Sequence, residues 1–87
     1  MGTNAEKLLA QARISKAGWT RNKLDKLYLG FGFIIRTGNG PHDKVFHPKH
    51  PELITWLPRH NKLGEYNITN AIKLIDKLIV LKEAENG

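Results

Sequence analysis

The run Gly38-Asn39-Gly40-Pro41 lies between two stretches rich in β-forming residues, "FIIRT" before it and "DKVFHP" after it. Glycine accepts positive φ without cost, asparagine accepts it better than most residues, and proline sets its own φ and donates no N–H. Four such residues in a row can only turn the chain, so the flanking runs must return on one another as an antiparallel hairpin. A third β-rich run, "LITWLP", closes at Pro58, and "KHPE", between Pro48 and Pro51, reads as the loop that precedes it. Strands are expected near residues 33–37, 43–47 and 53–57.

On either side of these strands the apolar period changes from two to that of a helix. From Asn67, taken as a cap, the chain places Ile68, Ala71, Ile72, Ile75, Leu78 and Ile79 on one face, with Lys73, Asp76, Lys77 and Lys82 mostly on the other. That spacing predicts a helix over residues 68–82. At the start, Thr3 or Asn4 can cap a helix with Glu6 in its first turn and Leu8, Ala12 and Ser15 on a modest face. Gly18-Trp19-Thr20 interrupts it, and Thr20 can cap a second helix through Leu24, Leu27 and Tyr28 that ends at Gly30 or Gly32. Two helices fit better than one continuous helix from Asn4 to Leu29. The expected fold is α+β, in the order α-α-β-β-β-α. Three antiparallel strands cannot stand alone, so helices should pack on one face of the sheet and leave the other free.

Eighty-seven residues suit a single domain with a small core. There is no cysteine, which removes disulfides and thiolate metal sites and accords with a reducing, cytoplasmic setting. The polar start "MGTNAEK" lacks the pattern of a secretory signal, and no apolar run approaches membrane-spanning length, so no membrane role is expected. The formal charge of +6 is uneven. Residues 1–31 hold six basic and two acidic side chains and residues 32–62 five and two, whereas residues 63–87 hold three and four. Positive charge concentrated in the first two-thirds, around the histidines, favours a polyanion such as nucleic acid.

Four histidines, His42, His47, His50 and His60, are the titratable groups of interest. Zinc needs three or four converging ligands, and His42 and His47, an odd number apart, would face opposite sides of a regular strand. His50 lies between two prolines without an evident co-ligand, so no metal site is expected. No serine or threonine sits in a nucleophile motif, and Asp43 and Glu52, expected on different strands, form no carboxylate pair. What remains is His42 among the cations Arg36, Lys44, Arg59 and Lys62. That set suits RNA cleavage. Attack of a ribose 2′-OH on its neighbouring phosphate requires one proton removed, another delivered to the leaving 5′-oxygen, and charge stabilised at phosphorus. An imidazole can perform either transfer, and Lys and Arg can stabilise the charge, with no metal or cofactor required. The plainer reading makes His42 an ordinary loop residue.

"GFIIRTGNGPHDKVFHP", followed by "TWLPRH" and "NITNAIKLIDKL", resembles the HicA family of toxin mRNA interferases. The resemblance spans about residues 20–82 and rests on Gly32-Phe33, Gly40-Pro41-His42, His47-Pro48 and Pro58-Arg59-His60 in the family's order. It implies a double-stranded-RNA-binding-domain-like fold, cleavage of mRNA through the turn histidine, here His42, and silencing by a HicB-like antitoxin. Pro41 stands where the family usually carries serine, and the first 18 residues form an added N-terminal helix. Arg36 and Lys44, then Arg59 and Lys62, are the candidate phosphate contacts. Trp19 and Trp56 are expected to pack at the core or its rim, His47 and His50 to be solvated, and Arg13 and Arg21 have no assigned role. Two other readings share this fold: a non-catalytic RNA-binding module, and a protein-interaction domain whose basic face takes an acidic partner.

Overall fold

The computed structural model describes residues 4–38, 40–59 and 63–86. Helix α1 spans Asn4–Ile14 and α2 spans Arg21–Gly30. Strands β1 (Ile34–Thr37), β2 (His42–Phe46) and β3 (Ile54–Pro58) follow, and α3 covers Glu65–Asn86. The sheet is antiparallel in the order β1-β2-β3, so the expected α+β arrangement α-α-β-β-β-α is present. β1 starts one residue later than expected, β2 lies one residue earlier and β3 one residue later, with Phe33, His47 and Leu53 buried at the strand ends.

The two N-terminal helices are separate. Gly18 takes φ +75°, a left-handed conformation that breaks the helix, and the Thr20 hydroxyl accepts the N–H of Lys23 at 3.2 Å to start the next. Trp19 sits buried at the junction, its indole N–H donating to the Ser15 carbonyl at 3.0 Å and its ring covered by the Lys23 ammonium. The buried stripe of α1 is Ala5, Leu9 and Ala12 rather than Leu8, Ala12 and Ser15. Gly30 lies against that stripe at Ala5. A Cβ on Gly30 would lie 2.3 Å from the Ala5 side chain, so this residue pair sets how closely α1 meets α2. Helix α2 ends through the N–H of Phe31 and the N–H of Gly32, which return to the carbonyls of Tyr28 and Leu29, with Gly32 at φ +88°.

Helix α3 begins at Glu65, two residues before the expected cap. Asn67 acts from inside the first turn. Its side chain accepts the Gly64 N–H at 3.1 Å while its own N–H reaches the Gly64 carbonyl at 3.0 Å. The expected face of α3 is the one that packs: Ile68, Ala71, Ile75 and Leu78 are fully buried, with Ile72 and Ile79 partly so.

Strand register assigns the two faces of the sheet. Ile35, Val45 and Thr55 form one row, and Thr37, Asp43 and Leu57 the next, on the face toward the helices, where Val45 and Leu57 are buried. Ile34, Phe46 and Ile54, then Arg36, Lys44 and Trp56, lie on the opposite face, which no helix covers. Trp56 is 54% exposed and so is not part of the core.

His47 and His50 are not solvated. His47 is buried with its ring edge-on to Phe33, and its Nδ1 accepts the Lys49 N–H at 3.1 Å. Burial, reinforced by His50, Lys82 and Lys49, holds its pKa below the ordinary imidazole value. His50 is largely enclosed between Glu52 and Glu85, with carboxylate oxygens 3.6 and 3.2 Å from its ring nitrogens. Glu52 lies in the turn before β3 rather than on a strand.

Tyr28 carries a polar group into the core. It is fully buried edge-on to Phe33, and its hydroxyl has no hydrogen-bond partner among the described residues. Desolvation pushes its phenol pKa well up. A buried polar group without a partner costs about 1–3 kcal/mol. Tyr28→Phe is therefore expected to leave stability unchanged or raise it by about 1 kcal/mol, measured by urea denaturation. A clear loss would show that the hydroxyl has a partner in solution.

Candidate nucleic-acid interface

His42 is the first residue of β2 and directly follows the turn. Strand alternation puts it on the open face with Lys44 and Phe46, while Asp43 and Val45 point to the helices. Its side chain is exposed, and no hydrogen bond or ion pair reaches it among the described residues. In the adjacent row Arg36 and Lys44 are direct cross-strand partners. Like charges directly opposite one another in a sheet repel. Here Phe46 moderates the cost, since the Arg36 guanidinium and the Lys44 ammonium lie 5.9 and 5.2 Å from its ring centroid. The strand positions of this face carry no acidic side chain, so the pair presents uncompensated positive charge next to the imidazole.

The turn is held from behind by Asp43. Arg59 donates from Nε to Asp43 Oδ1 at 2.8 Å and from Nη2 to the carbonyl of Gly38. Its backbone N–H reaches the Pro41 carbonyl at 3.1 Å. Arg21 approaches the other carboxylate oxygen of Asp43 at 3.0 Å, and also donates to Asp25 at 2.7 Å and to the Pro58 carbonyl at 2.9 Å. The two guanidiniums hold the Asp43 carboxyl below its usual pKa, with Arg59 the larger influence and burial acting in the opposite sense.

Of the residues marked from sequence, His42, Arg36 and Lys44 therefore share one open face. Arg59 lies behind the turn with two of its nitrogens already engaged, which makes it a brace for the turn first and a phosphate contact only through Nη1. Lys62 and His60 lie outside the described residues, as does Asn39 of the turn. Two contributors were not marked as site residues from sequence: the first had no assigned role, and the second was expected at the core or its rim. Arg21 is one, and its only sequence signal is the Arg21–Asp25 spacing of four along a helix. Trp56 is the other. Its run has large apolar side chains on both faces, and its one polar residue, Thr55, lies on the helix side, so nothing in it marks which residues face out. Gly38 also matters here, because a Cβ at that position would lie 2.8 Å from the His42 carbonyl oxygen and 3.3 Å from Cζ3 of Trp56.

Among the described residues no group of three or more His, Asp or Glu side chains converges as a metal site, and no helix is long and apolar enough to cross a membrane.

The Asp43 network makes a pH-dependent prediction. A carboxylate whose folded pKa is depressed contributes stability above its unfolded value, near 4, and loses that contribution as pH falls through the lower folded value. Asp43→Ala should cost about 2 kcal/mol at pH 7, the scale of a lost charged hydrogen bond. The difference from the parent should narrow below about pH 4, as read from thermal melts across pH. A gap that stays constant down to pH 2 would show that packing, not charge, carries the effect.

Comparison with known proteins returns no match: no family model, no curated protein and no solved structure is significantly similar to this chain.

Proposed function

We propose that this chain is a HicA-like endoribonuclease, the toxin of a toxin–antitoxin pair, which cleaves mRNA in the cytoplasm with His42 as its acid–base group. The observation that supports this most is the position of His42, exposed at the end of an acid-free sheet face beside the paired cations Arg36 and Lys44. In this reading α2-β1-β2-β3-α3 is a double-stranded-RNA-binding-domain-like core and α1 an addition to it. A phosphate placed between Arg36 and Lys44 brings its ribose 2′-OH toward the imidazole. The 2′-oxygen attacks phosphorus, its proton is taken up, and the 5′-oxygen leaves with a proton, giving a 2′,3′-cyclic phosphate. His42 performs one of the two proton transfers and water the other, while the two cations stabilise the phosphorane charge. The braced turn holds the backbone that carries His42.

A second reading, a non-catalytic RNA-binding module, is favoured by two observations. No side chain among the described residues orients the His42 ring, and Pro41 supplies neither the hydroxyl nor the N–H of the serine in HicA proteins.

Substitution at the turn separates these readings. His42→Ala should lower RNA cleavage by about 100- to 10,000-fold and relieve growth inhibition, with RNA affinity nearly unchanged, because affinity comes mainly from phosphate contacts. Cleavage at the parental rate in that variant would remove His42 from the chemistry. Pro41→Ser should raise the rate if the missing hydroxyl and N–H would grip phosphate; a flat or lower rate would assign Pro41 to rigidity of the turn. Cleavage should also persist in EDTA, and activity restored only by zinc would overturn the metal-independent scheme. The proposed HicB-like antitoxin inhibits by covering His42 and placing acidic groups against Arg36 and Lys44. A co-purifying acidic partner that leaves His42 accessible to diethylpyrocarbonate would exclude occlusion.

A further inference from the structure

We infer that Trp56 is a stacking platform for an unpaired base, so that the open sheet face selects single-stranded RNA; this rests on the RNA-binding part of the preceding reading, not on catalysis. Trp56 is more than half exposed, on a face that no other element covers. The indole is not loose. It reaches from β3 across β2 to Gly38 after β1, where a side chain at Gly38 would crowd both its Cζ3 and the His42 carbonyl. Its edge thus lies beside the His42 row, and a base stacked on it would sit next to the phosphate offered to the imidazole.

The rest of the row supplies the charge. Lys44 is the direct cross-strand neighbour of Trp56, and Arg36 is the neighbour of Lys44. An aromatic surface flanked by cations, with no acidic strand position on the same face, fits a base and its phosphate together. Ile34, Phe46 and Ile54 extend the apolar surface in the next row. A purely apolar protein partner would bury Arg36 and Lys44 without compensation, at considerable cost. The bases of a duplex are already stacked on one another and offer no free ring face. Only an unpaired strand can use Trp56 in this way.

The test uses the full chain carrying His42→Ala, so that RNA stays intact, titrated with a fluorescently labelled ten-nucleotide RNA and with the blunt duplex of the same strand. Trp19 is buried beneath Lys23, so quenching of indole emission by the single strand reports Trp56. Adding Trp56→Ala should weaken single-strand binding by roughly 5- to 100-fold, the scale of losing one stacked base. Trp56→Phe should recover most of that loss. Duplex affinity should change little, and the slope of log affinity against log salt should be unaltered, since no phosphate contact is removed. Single-strand affinity that is unchanged in Trp56→Ala, or no better in Trp56→Phe than in Trp56→Ala, overturns the inference. So does an equal loss for the single strand and the duplex. A parent that binds no RNA overturns both this inference and the nuclease reading. A protein that holds single strands through Trp56 but cuts none sinks the nuclease reading and leaves this one standing.

Discussion

The Asp43 carboxylate, held between the guanidinium groups of Arg21 and Arg59, joins the parts of this fold that backbone hydrogen bonds cannot join. At the far end of the sheet the ladder runs out of donors. His42 is paired with Pro58, which has no N–H, and Pro41 precedes it. Side chains take over there. Arg21 reaches from the first turn of α2 to Asp43 on β2 and to the Pro58 carbonyl on β3, and Arg59 reaches from the end of β3 to Gly38 in the turn. Helix layer, strands and turn are thereby closed into one unit. A buried Arg is stable only when paired, and Arg21, with two carboxylates and a carbonyl, is fully paired.

That closure explains how a short turn rich in glycine can still present His42 in a defined place. Gly40 carries a positive φ of +99° and nothing crowds it, so the turn by itself is permissive. Its constraint comes from Arg59, which holds the carbonyls at both ends of the turn through Nη2 and its backbone N–H. The price is that Arg59 has little left to offer a ligand. Cations that brace the turn and cations that stand open are thus divided between the two sides of one sheet, Arg21 and Arg59 behind, Arg36 and Lys44 in front. The front pair is costly to the fold, since two like charges oppose one another with only Phe46 between them. This face keeps such a pair and leaves Trp56 more than half exposed.

The opposite end of the molecule shows the other use of histidine. His47 packs against Phe33 with its Nε2 close to the space above Gly32, and His50 lies between Glu52 and Glu85, so the C-terminal part of α3 is tied to the loop before β3. These rings serve the fold. Strand parity already set His47 on the opposite side from His42, but the expectation that it is solvated fails because that side is where the core lies. Burial there lowers its pKa.

Much of the architecture was determined by the sequence alone, because it rests on local rules. The turn Gly38–Pro41 demands a hairpin, Gly18 and Thr20 separate two helices, and the apolar period of α3 names its packing face. The parity that puts His42 with Arg36 and Lys44 follows from the same rules once Val45 is taken as core. Two matters were decided only by tertiary structure, and a third by a local bond that the reading of Asn67 as a simple cap did not anticipate. "ITWLP" has a large apolar side chain on each face and its one polar residue, Thr55, on the inner one, so its own pattern could not say that Leu57 turns inward and Trp56 outward; cross-strand register with β2 made that choice. Arg21 and Arg59 look like any other surface cations until folding brings them to Asp43, 22 and 16 residues away along the chain. Helix α3 starts at Glu65 because Asn67 bonds back to Gly64, a reciprocal pair that competes with the simple cap its position suggests. Period and turn chemistry act between near neighbours and can be read in order along a chain. Charge pairing and the choice of an inward face depend on which distant residues arrive together, and only the packed chain specifies that.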